Sequence, residues 1–86
     1  MEVPWQIEIV KIEISKHFAL KYMRAWGWDF LNLRDAIRDA YKVEKAGKEK
    51  YEVYVQKKGY KKIIVVYYNY DKVIFCITGS EGGKRK

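Results

Sequence analysis

At 86 residues, 49% hydrophobic and 16% aromatic, the chain has enough apolar matter for one core and no room for a second, so it reads as a single domain over 1–86. It has no apolar run of bilayer-spanning length and no basic, apolar leader at MEVPWQIE. Its one cysteine cannot close an internal disulfide, and together these features point to a cytoplasmic protein without a membrane partner. Eighteen Lys and Arg against eleven Asp and Glu give +7, which favours polyanions, nucleic acid before acidic proteins or anionic lipid; the lysine-rich, Asn- and Gln-poor composition also suits a thermophilic source.

In chain order, residues 1–4 form a loose N-terminal end, with Pro4 setting an extended entry. Trp5, Ile7 and Ile9 alternate with polar residues at strand period, and the phase flips at Val10, Ile12 and Ile14. The flip implies either a bulge near Ile9-Val10 or a separate role for Trp5 to Ile9, such as pairing with a second copy in a homodimer. Ser15 is placed to cap a first helix near Lys16–Trp26, which Gly27 ends. A 100° advance puts Ala19, Tyr22, Met23 and Trp26 on its core face and His17, Lys21 and Arg24 on the opposite one. Asp29 caps a second helix, expected over Phe30–Lys42, with Phe30, Leu33, Ala36, Ile37 and Ala40 inward and Arg34, Arg38 and Lys42 outward beside Asp35 and Asp39.

Strands follow: a short one at Val43 to Ala46, a half-wet one around Tyr51 to Gln56, an apolar one at Ile63 to Tyr68, and a closing one at Val73 to Thr78. Turns are expected at Gly47-Lys48, Lys57-Lys58-Gly59 and Asn69 to Lys72. Residues 80–86 belong to a flexible basic tail. The expected fold is α+β, with two N-terminal helices packed on one face of a curved antiparallel sheet in the order β-α-α-β-β-β.

His17, Lys21 and Arg24 are the candidate catalytic residues. Metal-free RNA cleavage needs a base for the 2′-hydroxyl and cations for charge developing on phosphate, and this spacing puts one histidine and two cations within reach of one phosphate. The bland alternative is a solvated helix face that carries a histidine. The candidate nucleic-acid-binding set is Tyr54, Lys57, Lys58, Tyr60, Lys61 and Lys62, rings beside cations at one hairpin tip. The alternative is that tyrosine is simply a good strand residue. Cys76 reads as a small buried hydrophobe. No metal-ligand spacing, phosphate loop or nucleotide fingerprint is present, so neither metal nor cofactor is expected.

Val10 to Ala19, then Lys21, Met23, Arg24, Gly27 and Asp35-Ala36-Ile37, resemble a family of small domains of unknown function related to the RelE-type and BrnT-type ribonuclease toxins. Gly47, Tyr51 to Val55 and Ile63 to Val66 extend the likeness to about residues 10–80, mostly as hydrophobic spacing. His17 falls on that family's histidine and Lys21 on its following basic position, while Arg24 stands one residue out of step. The resemblance implies a helix pair on a curved antiparallel sheet and an RNA-binding or RNA-cleaving domain, often held by a small antitoxin partner. The leading expectation is thus an RNA-interacting, toxin-like ribonuclease. The alternatives are a non-enzymatic nucleic-acid-binding module and a protein-interaction domain pairing through its N-terminal strand.

Overall fold

A computed structural model describes residues 4–57, 60–68 and 72–81. Side chains at Lys57, Tyr60 and Glu81 are not described. The fold is α+β: a five-stranded sheet and two helices, ordered β1 (Lys11–Ile14), α1, α2 (Phe30–Arg38), β2 (Lys42–Lys45), β3 (Lys50–Lys57), β4 (Tyr60–Tyr68) and β5 (Val73–Glu81). Helix α1 joins a π-helical segment, Phe18–Met23, to an α-helical turn, Arg24–Trp26.

The sheet order β1-β5-β4-β3-β2 departs from the expected antiparallel meander. Strand β1 runs parallel to β5, with Ile12 beside Ile74 and Ile14 beside Cys76, so the sheet is mixed. Four strands follow the helix pair, at the four expected segments and one more than the order β-α-α-β-β-β counts, and the helices stand between β1 and the rest. A parallel neighbour needs a long crossover, and here the whole stretch from α1 to β4 supplies it. Strand β5 also runs past the expected end at Thr78, through Gly79 and into Ser80 and Glu81 of the supposed tail, while 82–86 lie outside the described residues.

Local chemistry sets the helix ends. The Phe18 N–H donates to the Ser15 hydroxyl at 3.0 Å, and that hydroxyl donates to the Ile77 carbonyl at 3.1 Å, so one side chain caps α1 and ties it to β5. Ile77 is the additional residue of a β-bulge, because Val65 faces Thr78 while Val66 faces Cys76. Gly27 closes α1 at φ 71°, a left-handed conformation that costs glycine nothing. Asp29 and Asn32 form a reciprocal capping box on α2 at 2.8 and 3.1 Å. Helix α2 stops at Arg38, short of Lys42, where the Asp39 N–H bonds back to Asp35 and Ile37 and the chain turns into β2.

The core lies on one sheet face. Val53, Val55, Ile64, Val66, Ile74 and Cys76 are fully buried there, and Phe18, Met23, Leu33, Ala36 and Ile37 from the helices join the same cluster. Phe30, expected inward, is 46% exposed.

Two N-terminal expectations are corrected. Trp5 to Ile9 is not a strand: Ile9 and Val10 donate to the Gln6 carbonyl at 3.0 and 3.1 Å, forming a turn. That turn, not a bulge at Ile9-Val10, produces the phase flip. Trp5 is buried edge-on against Tyr51 and Tyr68, at 5.8 and 5.3 Å between ring centroids, and Ile9 is exposed, so the segment offers no strand of the kind the expected homodimer pairing required. Among the described residues, no helix is long and apolar enough to cross a membrane.

Candidate nucleic-acid interface

The π-helical segment decides what α1 presents. The Arg24 N–H reaches back five residues to the Ala19 carbonyl, and the Trp28 N–H does the same to Met23 at 3.0 Å. In an α-helix a five-residue step is about 1.4 turns. The wider turn lets Phe18 and Met23 both face the sheet, and both are buried. Ala19, Tyr22 and Trp26, assigned inward by a 100° advance, are only half-buried.

Tyr22, Trp26 and Trp28 thereby form a ladder along the helix. Ring centroids step 5.5 Å from Tyr22 to Trp26 and 5.0 Å from Trp26 to Trp28, with Phe18 beneath at 5.8 Å from Tyr22 and 5.9 Å from Trp26. All three ladder rings keep part of their surface in solvent. His17 extends the row, its ring 5.6 Å from Tyr22.

Cations sit on the ladder. Lys21 Nζ lies 5.6 Å from the Tyr22 ring and Lys62 Nζ lies 5.1 Å from the Trp26 ring. Lys62 comes from β4, so the fold joins the helix candidates to the hairpin-tip candidates across the sequence. Gly79 makes this junction possible. A Cβ there would stand 2.8 Å from Trp26 Cη2 and 3.1 Å from the Ile63 carbonyl oxygen. From Ser15 to Trp28 the chain carries Lys16, His17, Lys21 and Arg24 and no acidic residue. Lys16, His17, Lys21 and Arg24 are all exposed, and none has an ion pair among the described residues.

Of the predicted site residues, His17 and Lys21 meet at the Tyr22 ring, and Arg24 lies exposed on the following turn. The hairpin set divides. Lys62 faces the helix, whereas Lys61 reaches the other sheet face, over Tyr41 at 5.7 Å. Lys58 lies outside the described residues, as do the side chains of Lys57 and Tyr60. Tyr54 also takes the other face, where its hydroxyl donates to Glu52 at 3.0 Å, with Glu44 at 3.5 Å as the alternative acceptor for the same proton. Partial burial and the two carboxylates push that phenol up to about 12. Burial likewise pushes the Cys76 thiol up to about 12, and Cys76 is fully enclosed.

Sequence reasoning placed Tyr22 and Trp26 on the core side, where they do pack, and so missed that they and Trp28 also keep solvent exposure. The available signal was the interleaving of four aromatics, Phe18, Tyr22, Trp26 and Trp28, with the cations Lys16, Lys21 and Arg24 across an acid-free stretch. Among the described residues, no three His, Cys, Asp or Glu side chains gather as a metal site requires.

Comparison with protein-family models, with curated proteins and with solved structures found no match.

Proposed function

We propose that this domain binds single-stranded RNA along α1, with bases stacking on Tyr22, Trp26 and Trp28 and phosphates meeting Lys16, Lys21, Arg24 and Lys62. The observation that carries the reading is the half-exposed ladder with a cation on each of two rungs, on a stretch with no acidic side chain. Stacked aromatics beside a basic track are how proteins hold unpaired bases without reading sequence. A duplex hides its base faces and offers the rings nothing to stack on.

Cleavage is the narrower form of the same proposal. His17 ends the ladder, where it would take the proton of a 2′-hydroxyl; the 2′-oxygen then bonds to phosphorus, the P–O5′ bond breaks with its oxygen taking a proton from His17 or water, and Lys21 and Arg24 stabilise charge on the phosphate, leaving a 2′,3′-cyclic phosphate and a 5′-hydroxyl. The toxin-like resemblance favours this form, and a small acidic antitoxin-like partner would compete with RNA for the same surface.

The deciding experiment is fluorescence anisotropy of labelled single-stranded RNA, duplex RNA and single-stranded DNA across a salt series. Binding to the single strands that weakens steeply with salt and exceeds duplex binding supports the reading. No affinity at low salt removes it. Product analysis in EDTA then separates binding from cleavage: activity should fall by about 10²–10⁴ in His17→Ala, and cutting that persists unchanged takes His17 out of the mechanism.

A further inference from the structure

The sheet has a second face, and the RNA reading does not use it. Ile63, Val65, Tyr67, Val73 and Phe75 project there, opposite the buried residues of their own strands. All five retain solvent exposure, Tyr67 as much as 46%, and none belongs to the core cluster or packs against it. Helix contacts to the sheet are made through Phe18, Trp26, Leu33 and Ile37, on the core side. Among the described residues nothing lies over this apolar centre.

The rim around it carries both signs, unlike the acid-free stretch from Ser15 to Trp28. Lys11, Lys42, Lys50 and Lys61 are set against Glu13, Glu44 and Glu52, so the face is close to neutral on a chain of +7. The charges alternate in space: Lys11 pairs with Glu13 at 3.7 Å and Lys42 with Glu44 at 3.0 Å. A polyanion gains little from such a rim, and Glu44 and Glu52 stand where its phosphates would pass.

We infer that this open face docks on the same face of a second copy of the chain. A two-fold contact sets a patch against itself, so it tolerates a rim of both signs and penalises a rim of one. The excess charge elsewhere makes most self-contacts repulsive, and this face escapes that repulsion while offering an apolar centre of the kind interfaces bury. Docking here leaves both α1 ladders outward, so a dimer would present two RNA tracks.

Sedimentation velocity of the full chain over a concentration series tests the inference. The expected result is a species of twice the 10.3 kDa chain mass that dissociates on dilution. Phe75→Lys should abolish it. Should that variant lose its circular-dichroism signature, Glu13→Lys/Glu44→Lys, which changes only exposed side chains, should raise the dimer dissociation constant about tenfold or more by making the rim positive. A wild-type chain that stays monomeric at its highest soluble concentration overturns the inference, as does a dimer indifferent to the rim variant. A monomer whose RNA affinity falls when Val65→Lys is introduced overturns it in favour of a nucleic-acid face.

Discussion

The two helices share one layer and are built to different ends. In α2 every arginine is engaged: Arg34 donates to the Ile7 carbonyl at 2.9 Å, and Arg38 meets Asp35 at 3.2 Å and Asp39 at 3.1 Å. Its start is closed by a side-chain capping box. In α1 the cations face outward with no carboxylate on their helix, and part of the backbone follows the wider π geometry. A π turn forgoes α-helical hydrogen-bond geometry, and such turns recur where side-chain placement matters more than helix economy. The difference teaches that charge on a surface helix is informative when nothing local neutralises it. Arg38 is held by Asp39 and Asp35, which raise its pKa further, and so it is a structural cation. Lys21 and Arg24 are not.

The comparison breaks first at the anchors. Phe18 and Leu33 are both fully buried and fix α1 and α2 to the sheet. Phe18→Ala should cost about 3–5 kcal/mol and Leu33→Ala about 2–5 kcal/mol, read from urea unfolding. Against a total stability of about 5–15 kcal/mol, either variant should leave a marginal fold. If Phe18→Ala costs under about 1 kcal/mol, α1 is not held where the ladder needs it.

The next effect separates the helices by function. Trp26→Ala should weaken single-stranded RNA binding by about 1–3 kcal/mol, the usual worth of one stacking ring, while Arg38→Ala on α2 leaves the affinity near wild type. Gly79→Ala changes no ladder residue yet pushes on Trp26 Cη2, so it should also weaken binding. A loss in Arg38→Ala with none in Trp26→Ala would mean that net charge alone carries the affinity.

A smaller effect should fall on stability alone. Asp29→Ala removes the cap of α2 and should cost about 0.5–2 kcal/mol, seen as a lower urea midpoint with RNA affinity intact. Loss of affinity in this variant would tie the two helices together functionally.

Features set by neighbours in sequence could be read before the fold was known. The Ser15 cap, the Gly27 stop and the Asp29 cap each depend on residues within three positions, and Cys76 declared itself by its apolar strand. Features set by distant partners could not. Trp5 to Ile9 alternates as a strand does, but Trp5 is drawn into the Tyr51 and Tyr68 rings, far along the chain. The parallel pairing of β1 with β5 leaves no local mark either. At the site, His17 and Lys21 were accessible to helical spacing, but the meeting of Lys62 and Trp26 depends on how β4 passes the helix. The 100° projection placed Met23 inward and His17, Lys21 and Arg24 outward as the fold does, but the π turn moves Phe18 inward and leaves Tyr22 and Trp26 only half-buried.

The last and smallest effect concerns Tyr54, a candidate RNA contact by sequence. Its hydroxyl is already committed to Glu52 or Glu44, and its ring carries Lys42 at 5.0 Å. The phenol ionises at about 12 in the folded chain against an ordinary 10.0, because partial burial and two carboxylates disfavour the phenolate. The folded state therefore holds the proton more tightly than the unfolded one. The resulting stability is fully present below about pH 10 and is lost as pH rises towards 12. Solvent reaches this side chain, so the contribution is modest. Tyr54→Phe removes it: the urea midpoint of the variant should fall less than that of wild type between pH 9 and pH 11, on either side of the ordinary phenol value of 10.0. RNA affinity at neutral pH should barely change, since losing a hydroxyl held between two carboxylates frees no phosphate contact. A large drop in affinity would move the RNA track from α1 to the open sheet face and set the dimer and the RNA in competition for one surface.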